Sequence, residues 1–425
     1  MAQPGQRSGS VIATQLSVMM FLQFFLWGAW YVTMGPFMNA AGMDAKLIGW
    51  AYTVGPIAAI ASPFFLGMVA DRFFATERVL GIMHLLGGGL LCFAPMAAEQ
   101  SASLFVAVIL LHMLCYMPTL GLSSSLALHT MTNPQTQFPL IRVFGTVGWI
   151  VANIVISRLA FDTSPNMFFV AGGSGVLLGV YSFTLPHTPA PAKGQAFSAR
   201  DAIGLDSLVL LKNPSFAVFC VCSFLLCIPL AAYYAFAGQF VGEMGFEKIA
   251  QTMSLGQMSE IFFMLVMPLC FARLGVKWML AIGMLAWVVR YGLFAGAADD
   301  QIKWMVLGGV MLHGICYDFF FVTGQIYVDG KAGTKIRSQA QGFYVLLTQG
   351  LGMLIGAQIG GRLVAHYTSE GGGVAWKTVW MYPAAFAGLV LVAFVLLFKD
   401  KIIRSEDLEP YTPGGPGEPD RAIAP

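Results

Sequence analysis

The chain has 425 residues, of which 10% are charged and 57% hydrophobic; ordinary soluble domains carry about 25% charged residues. That balance excludes a soluble fold. A formal charge of +2 gives no ground for expecting a nucleic-acid partner.

Apolar runs of 18 or more residues recur from Val11 to Phe398, each long enough to cross a hydrocarbon core of about 30 Å. The predicted segments, numbered one to twelve in chain order, are 11–38, 47–69, 78–98, 102–128, 139–160, 166–186, 214–241, 249–272, 276–297, 303–328, 338–366 and 374–398. The first is too long for a signal-peptide core and no small-residue cleavage site follows, so it is expected to stay as a spanning helix. Within it Gln23, Trp27 and Trp30 repeat at i, i+4, i+7 and share one stripe. "GMVADRFFATERVLGI" follows segment two and carries Asp71 and Arg72. His84 and His112, with no charge on their faces, are expected to pack structurally.

Segment five, "FPLIRVFGTVGWIVANIVI", carries Arg142 although a cation at membrane depth costs at least about 2.5 kcal/mol. Arg142, Thr146 and Trp149 again fall at i, i+4, i+7. Near one end of the segment, Arg142 is open to two readings, a snorkelling side chain or a functional one. "GGSG" at 172–175 sits inside segment six with no lysine after it and is no phosphate loop. The stretch 187–213, rich in proline and charge, then divides the segments six and six. The predicted organisation is an N-terminal half over 1–186, a cytoplasmic linker over 187–213, a C-terminal half over 214–398 and a disordered cytoplasmic tail over 399–425. Equal halves about a polar linker suit a duplicated transporter.

In the second half, Gln257 and Glu260 share a face of segment eight, and Arg290 lies in segment nine. Segment ten places His313 and Tyr317 in one row, with Asp318 beside it and Gln325 two turns on. Glu260 and Asp318 are too deep to snorkel and are expected to be functional. Arg290 is expected to be structural and paired with a carboxylate. Gly352, Gly356 and Gly360 form a small-residue ridge in segment eleven. Pro36, Pro56, Pro118, Pro229 and Pro268 are candidate kinks. All seven cysteines lie in apolar segments, as packing residues rather than metal ligands. No Walker A, HExxH or GxSxG sequence occurs, which excludes a built-in ATPase. With the N-terminus inside, 15 lysines and arginines fall on the inner side against 6 on the outer, so both termini are placed in the cytoplasm.

"FLQFFLWGAW", "GMVADRF", "YMPTLGL", "FPLIRVFGTVGWI", "TLPHTP", "GLDSLVLLKN", "YDFFFVTG" and "RSQAQG" together resemble the nucleoside–proton symporter family of the major facilitator superfamily. The likeness runs over almost the whole chain except the tail. It implies an all-α membrane protein with twelve transmembrane helices in two six-helix pseudo-symmetric halves. It also implies import of nucleosides with protons through a cavity between the halves. The family's cavity positions fall on Arg142, Thr146, Trp149, Gln257, Glu260, Tyr317 and Asp318. Tyr234, Gln23 and Trp27 complete the expected substrate site, and Asp71 and Arg72 are expected to steady the cytoplasmic gate. Glu260 or Asp318 is expected to carry the coupled proton. Two departures stand out: Ala231 and Tyr234 replace amides in segment seven, and His313 replaces a tyrosine.

The expected partners are a nucleoside, protons and the lipid bilayer, with no cofactor and no nucleic acid. The protein is expected to act as a monomer in the plasma (inner) membrane. One alternative keeps the fold but changes the cargo to a nucleobase, sugar or amino-sugar. The other is a nucleoside-binding membrane sensor.

Overall fold

The computed structural model describes residues 9–66, 73–131, 134–190 and 204–399. Asp71, Arg72 and the tail beyond Lys399 lie outside them. Among the described residues the chain is helical, apart from one isolated bridge between Thr368 and Val374. Ten helices are long and apolar enough to cross a membrane by length and composition. One of them, Ile249–Ala297, runs through Gly275 at φ 65°, ψ 177°, a backbone state open essentially to glycine alone. Divided there, and joined by the shorter apolar helix Asn166–Ser182, the described helices make the twelve expected segments. Leu265, Leu269 and Leu389 are 76%, 67% and 70% exposed, so the outer surface is oily where a soluble protein's would be polar.

Local chemistry starts several of these helices. Asp44, Ser101 and Asn213 each accept a hydrogen bond from the backbone N–H three residues on, and Pro214 follows Asn213 at the first helical position. Segment one was expected to be continuous over 11–38 but is broken. Its helices are Gly9–Gly28 and Met34–Ala40, with a turn over 29–33. The Tyr52 hydroxyl serves the break from segment two: it donates to Tyr31 O at 2.7 Å and accepts from Gly35 N–H at 3.2 Å. In this way two backbone groups that left the helical ladder keep partners.

Helices before the 187–213 stretch pack mainly on one another, and so do those after it. The two groups meet chiefly through segments one, two and five against segments seven, eight and eleven. The closest meetings lie away from the linker. At Gly49 an added Cβ would lie 2.6 Å from Ala357 O, and at Gly238 it would lie 2.8 Å from Val32 O. Asp162, just past segment five, accepts from Ala250 N–H at 2.7 Å and from the Ser157 hydroxyl at 2.7 Å. Ser157 Oγ in turn accepts from Gln251 N–H at 2.9 Å. Both amides belong to the free first turn of segment eight, where backbone donors need acceptors and negative charge is favoured.

On the linker side, Glu77 accepts from Thr188 N–H at 3.0 Å and contacts His187 Nδ1 at 2.8 Å, while Thr76 N–H donates to Thr188 O. The other end of the linker enters through Gly204 and the 3₁₀ turn Leu205–Lys212. Gly204 is at φ 73° against Gln339 O, and the Gln339 amide donates to Asp206 at 3.5 Å. The segment-eleven ridge packs as expected from its spacing. Gly352 abuts Cys227, Gly356 abuts Ile228 and Ala231, and Gly360 abuts Ala232.

Candidate functional site

Segment five brings its polar stripe inward because two glycines let it lie close to segment one. A Cβ at Gly148 would run into Phe21 O, and one at Gly145 would lie 2.7 Å from both Arg142 Nη1 and Phe24 Cδ2. Gly145 therefore clears the space in which the Arg142 guanidinium lies over the Phe24 ring, 4.1 Å from its centroid. One turn on, Trp149 meets Trp27 edge to face with centroids 5.4 Å apart, and Tyr31 packs against both.

The facing wall is set by segments eight and ten. Gly314 N–H donates to Ser259 Oγ at 3.0 Å, and Ser259 donates to Met311 O at 2.5 Å. Any Cβ at Gly314 would lie 2.6 Å from the Ser259 carbonyl. That close approach puts His313 Nε2 at 3.9 Å from Glu260 Oε2. Beyond it, the helix widens into a π-helical turn over Tyr317–Val322, and segment eleven does the same over Leu346–Gly352. Such turns shift the side-chain register and recur at functional sites.

Between the walls lies a cavity of about 180 Å³. Phe24, Trp27, Tyr31, Arg142, Thr146 and Trp149 line it from one group of helices. Tyr234, Gln257, Glu260, His313, Tyr317, Gln349 and Met353 line it from the other. Rings, a guanidinium, a carboxylate and two amides meet in one space, which suits a ligand that both stacks and hydrogen-bonds. Among the described residues no cluster of histidine, cysteine or carboxylates could hold a metal ion.

Eight of the ten expected substrate residues thus line one cavity. Trp27, Arg142, Thr146, Trp149, Tyr234, Gln257, Glu260 and Tyr317 are its lining; Gln23 and Asp318 are not. Gln23 is fully buried behind it, donating to Thr119 Oγ1 at 2.7 Å and facing His84 Nε2 at 2.8 Å. Asp318 is also fully buried, and neither carboxylate oxygen has a hydrogen-bond partner among the described residues. His84 and His112 are enclosed, His112 against Gly87 O at 2.9 Å, in keeping with a packing role.

Arg290 corrects an expectation. It pairs with no carboxylate among the described residues: its Nε donates to Gly309 O at 3.1 Å, and its guanidinium lies 4.2 Å from the Tyr233 ring centroid. The flat guanidinium resting on the ring gains a cation–π contact that offsets part of the cost of the missing carboxylate. Ala231, read as a former amide position in the site, instead touches Gly356 between helices. Phe24, Tyr31, Gln349 and Met353 were missed. Tyr31 continues the Trp27 row by one turn, and Gln349 is an amide within an apolar segment, so both carried a signal.

The profile of the family described as nucleoside H+ symporter matches residues 11–402. YegT of Escherichia coli (strain K12), which carries a provisional nucleoside-transporter name, is 38% identical over 91% of this chain and 93% of its own length. The xanthosine permease of the same organism is 33% identical over 91% of this chain and 96% of its own. The crystal structure of nucleoside transporter NupG superposes with a TM-score of 0.82 at 32% identity, covering 92% of this chain and 100% of that one. A peptide transporter at 13% identity and TM-score 0.68 shares the fold alone. With its cavity between two helix groups and a family match along almost its whole length, the chain belongs to the nucleoside H+ symporter family: it is an integral membrane transporter, not an enzyme.

Proposed function

We propose that this protein imports nucleosides together with protons across the inner membrane, with both termini in the cytoplasm, by rocking residues 1–186 against 214–398. The observation that carries the reading is the shared cavity, in which Glu260 stands with Arg142, Gln257 and a wall of aromatic rings. The meetings at Gly49, Gly238 and Asp162 all lie away from the linker, which supports an arrangement closed on the outer side.

Glu260 or Asp318 takes a proton from the outward-facing cavity. Loss of that charge admits the nucleoside and makes inward rocking less costly. Trp149 or Tyr317 stacks on the base, while Arg142, Thr146 and Gln257 hydrogen-bond base and ribose. Opening to the cytoplasm rehydrates the carboxylate and releases both passengers. One proton moving through 100 mV supplies about 2.3 kcal/mol, or roughly 40-fold accumulation. Asp71 and Arg72 steady the cytoplasmic gate in this scheme, and the protein works as a monomer in the bilayer.

The test is uptake of radiolabelled uridine and adenosine into reconstituted vesicles, with and without an imposed proton gradient. Gradient-dependent accumulation is expected. Uptake indifferent to the gradient would refute proton coupling, and binding without uptake would leave a sensor.

A further inference from the structure

The cavity contains a polar side chain to which neither the sequence reading nor the scheme above gives work. Gln349 lies in the π-helical turn Leu346–Gly352, half-buried and facing the cavity beside Met353. Gln341, Gly342, Val345 and Leu346, earlier on the same helix, line a second opening of about 460 Å³ towards the linker side. Gln349 follows Leu346 of that opening by about one turn and faces the site instead. Its backbone is held on both sides: the Thr348 hydroxyl donates to Tyr344 O at 2.7 Å, and Gly350 is buried against Ile60. Yet no hydrogen bond among the described residues engages its amide. A side chain placed so firmly and left unengaged is arranged for something that enters.

We propose that Gln349 is a specificity-determining residue that hydrogen-bonds the edge of the nucleobase and so sets which bases are carried. The proposal rests on the nucleoside reading above. A base edge alternates donors and acceptors, and one planar partner that matches it must offer both. Arg142 can only donate, an ionised Glu260 can only accept, and each hydroxyl offers a single point. Among the lining residues, the amides that offer both in one plane are Gln257 and Gln349. Both belong to the second group of helices, facing the rings of the first. Gln257 shares its helix face with Glu260 and so sits beside the carboxylate. Gln349 approaches from another helix, so the two amides can meet different edges of one base.

The experiment is competition against labelled uridine in proteoliposomes by a panel of purine and pyrimidine nucleosides and their deoxyribose counterparts. Wild type is compared with Gln349→Glu, Gln349→Asn and Gln349→Leu, and binding by purified protein is read from tryptophan fluorescence. Each variant is expected to change the ratio of inhibition constants for at least one pair of bases by tenfold or more. The ratio between ribose and deoxyribose forms of one base should stay within about twofold. Base ratios unchanged in all three variants would overturn the proposal. Loss of folded protein in all three would overturn it too, because an amide whose work is on the ligand is not needed to hold the helix. Failure of every nucleoside to compete in wild type would instead sink the nucleoside reading itself.

Discussion

The Asp162 carboxylate accepts a hydrogen bond from Ala250 N–H at 2.7 Å, which joins the end of segment five to the start of segment eight. Beyond the turn at Ser254 the same segment eight carries Gln257 and Glu260 into the cavity, so this contact and the site share one segment. A hydrogen bond to a charged acceptor contributes about 1.5–3 kcal/mol. Asp162→Ala should therefore shift the equilibrium towards separation on that side by roughly 10- to 100-fold. Spin labels at Thr163 and Lys248, both exposed, would show a new long-distance population in the variant. An unchanged distance distribution would mean that the glycine contacts alone hold this side.

Arg142 can be tested directly and through its neighbour. Arg142→Lys keeps the charge but loses the planar fork, so transport should fall at least tenfold while membrane abundance holds. Gly145→Ala leaves the arginine in place but pushes a methyl group against its Nη1 and the Phe24 ring, and should weaken nucleoside affinity in the same direction. Initial uptake rates against nucleoside concentration would measure both. Near-normal rates for Arg142→Lys would return the residue to snorkelling.

Glu260→Gln and Asp318→Asn should each abolish gradient-driven accumulation. At least one should retain exchange of nucleoside between two loaded compartments, since exchange needs no net proton movement. Glu260 lines the cavity and Asp318 does not, so Glu260→Gln is the variant expected to weaken nucleoside binding as well. Normal accumulation by both would place the coupled proton elsewhere.

Segment seven yields opposite expectations at two neighbouring positions. Ala231 is buried against Gly356, so Ala231→Gln overpacks a helix contact and should cost about 1–3 kcal/mol, seen as a lower melting temperature in detergent. Tyr234 lines the cavity, so Tyr234→Asn should leave melting nearly unchanged and alter which nucleosides compete. If Ala231→Gln melts like wild type, helices seven and eleven are looser than their glycine contacts imply.

Most of this architecture was legible because spanning helices must be long and apolar, and because buried polar residues are costly enough to stand out. The stripe of Arg142, Thr146 and Trp149 could be read from spacing alone. Gln349 sits inside a π-helical turn, where a count at 3.6 residues per turn no longer assigns faces, so its residue type was a signal and its direction was not. Tyr317 begins the other such turn and lines the cavity, whereas Asp318, next in it, is buried outside the lining. Gln23 was misplaced for a different reason: its stripe reaches the cavity at Trp27, but its own amide is taken up by Thr119 and His84. Partners on other helices leave no trace in one helix's period.

The anchored ends of the linker bear on how firmly the far side must be held. Thr188 is tied to Glu77 and Gly204 is seated against Gln339, so fifteen residues separate the two anchors. Fully extended, they reach no more than roughly 58 Å. That reach fixes no angle between the two groups of helices, but their covalent join keeps each at a high effective concentration for the other. Parting and rejoining is then an intramolecular event that forfeits little translational freedom. A seam of glycine contacts and a few hydrogen bonds at Asp162 can close under those terms, and can also come apart on every turnover.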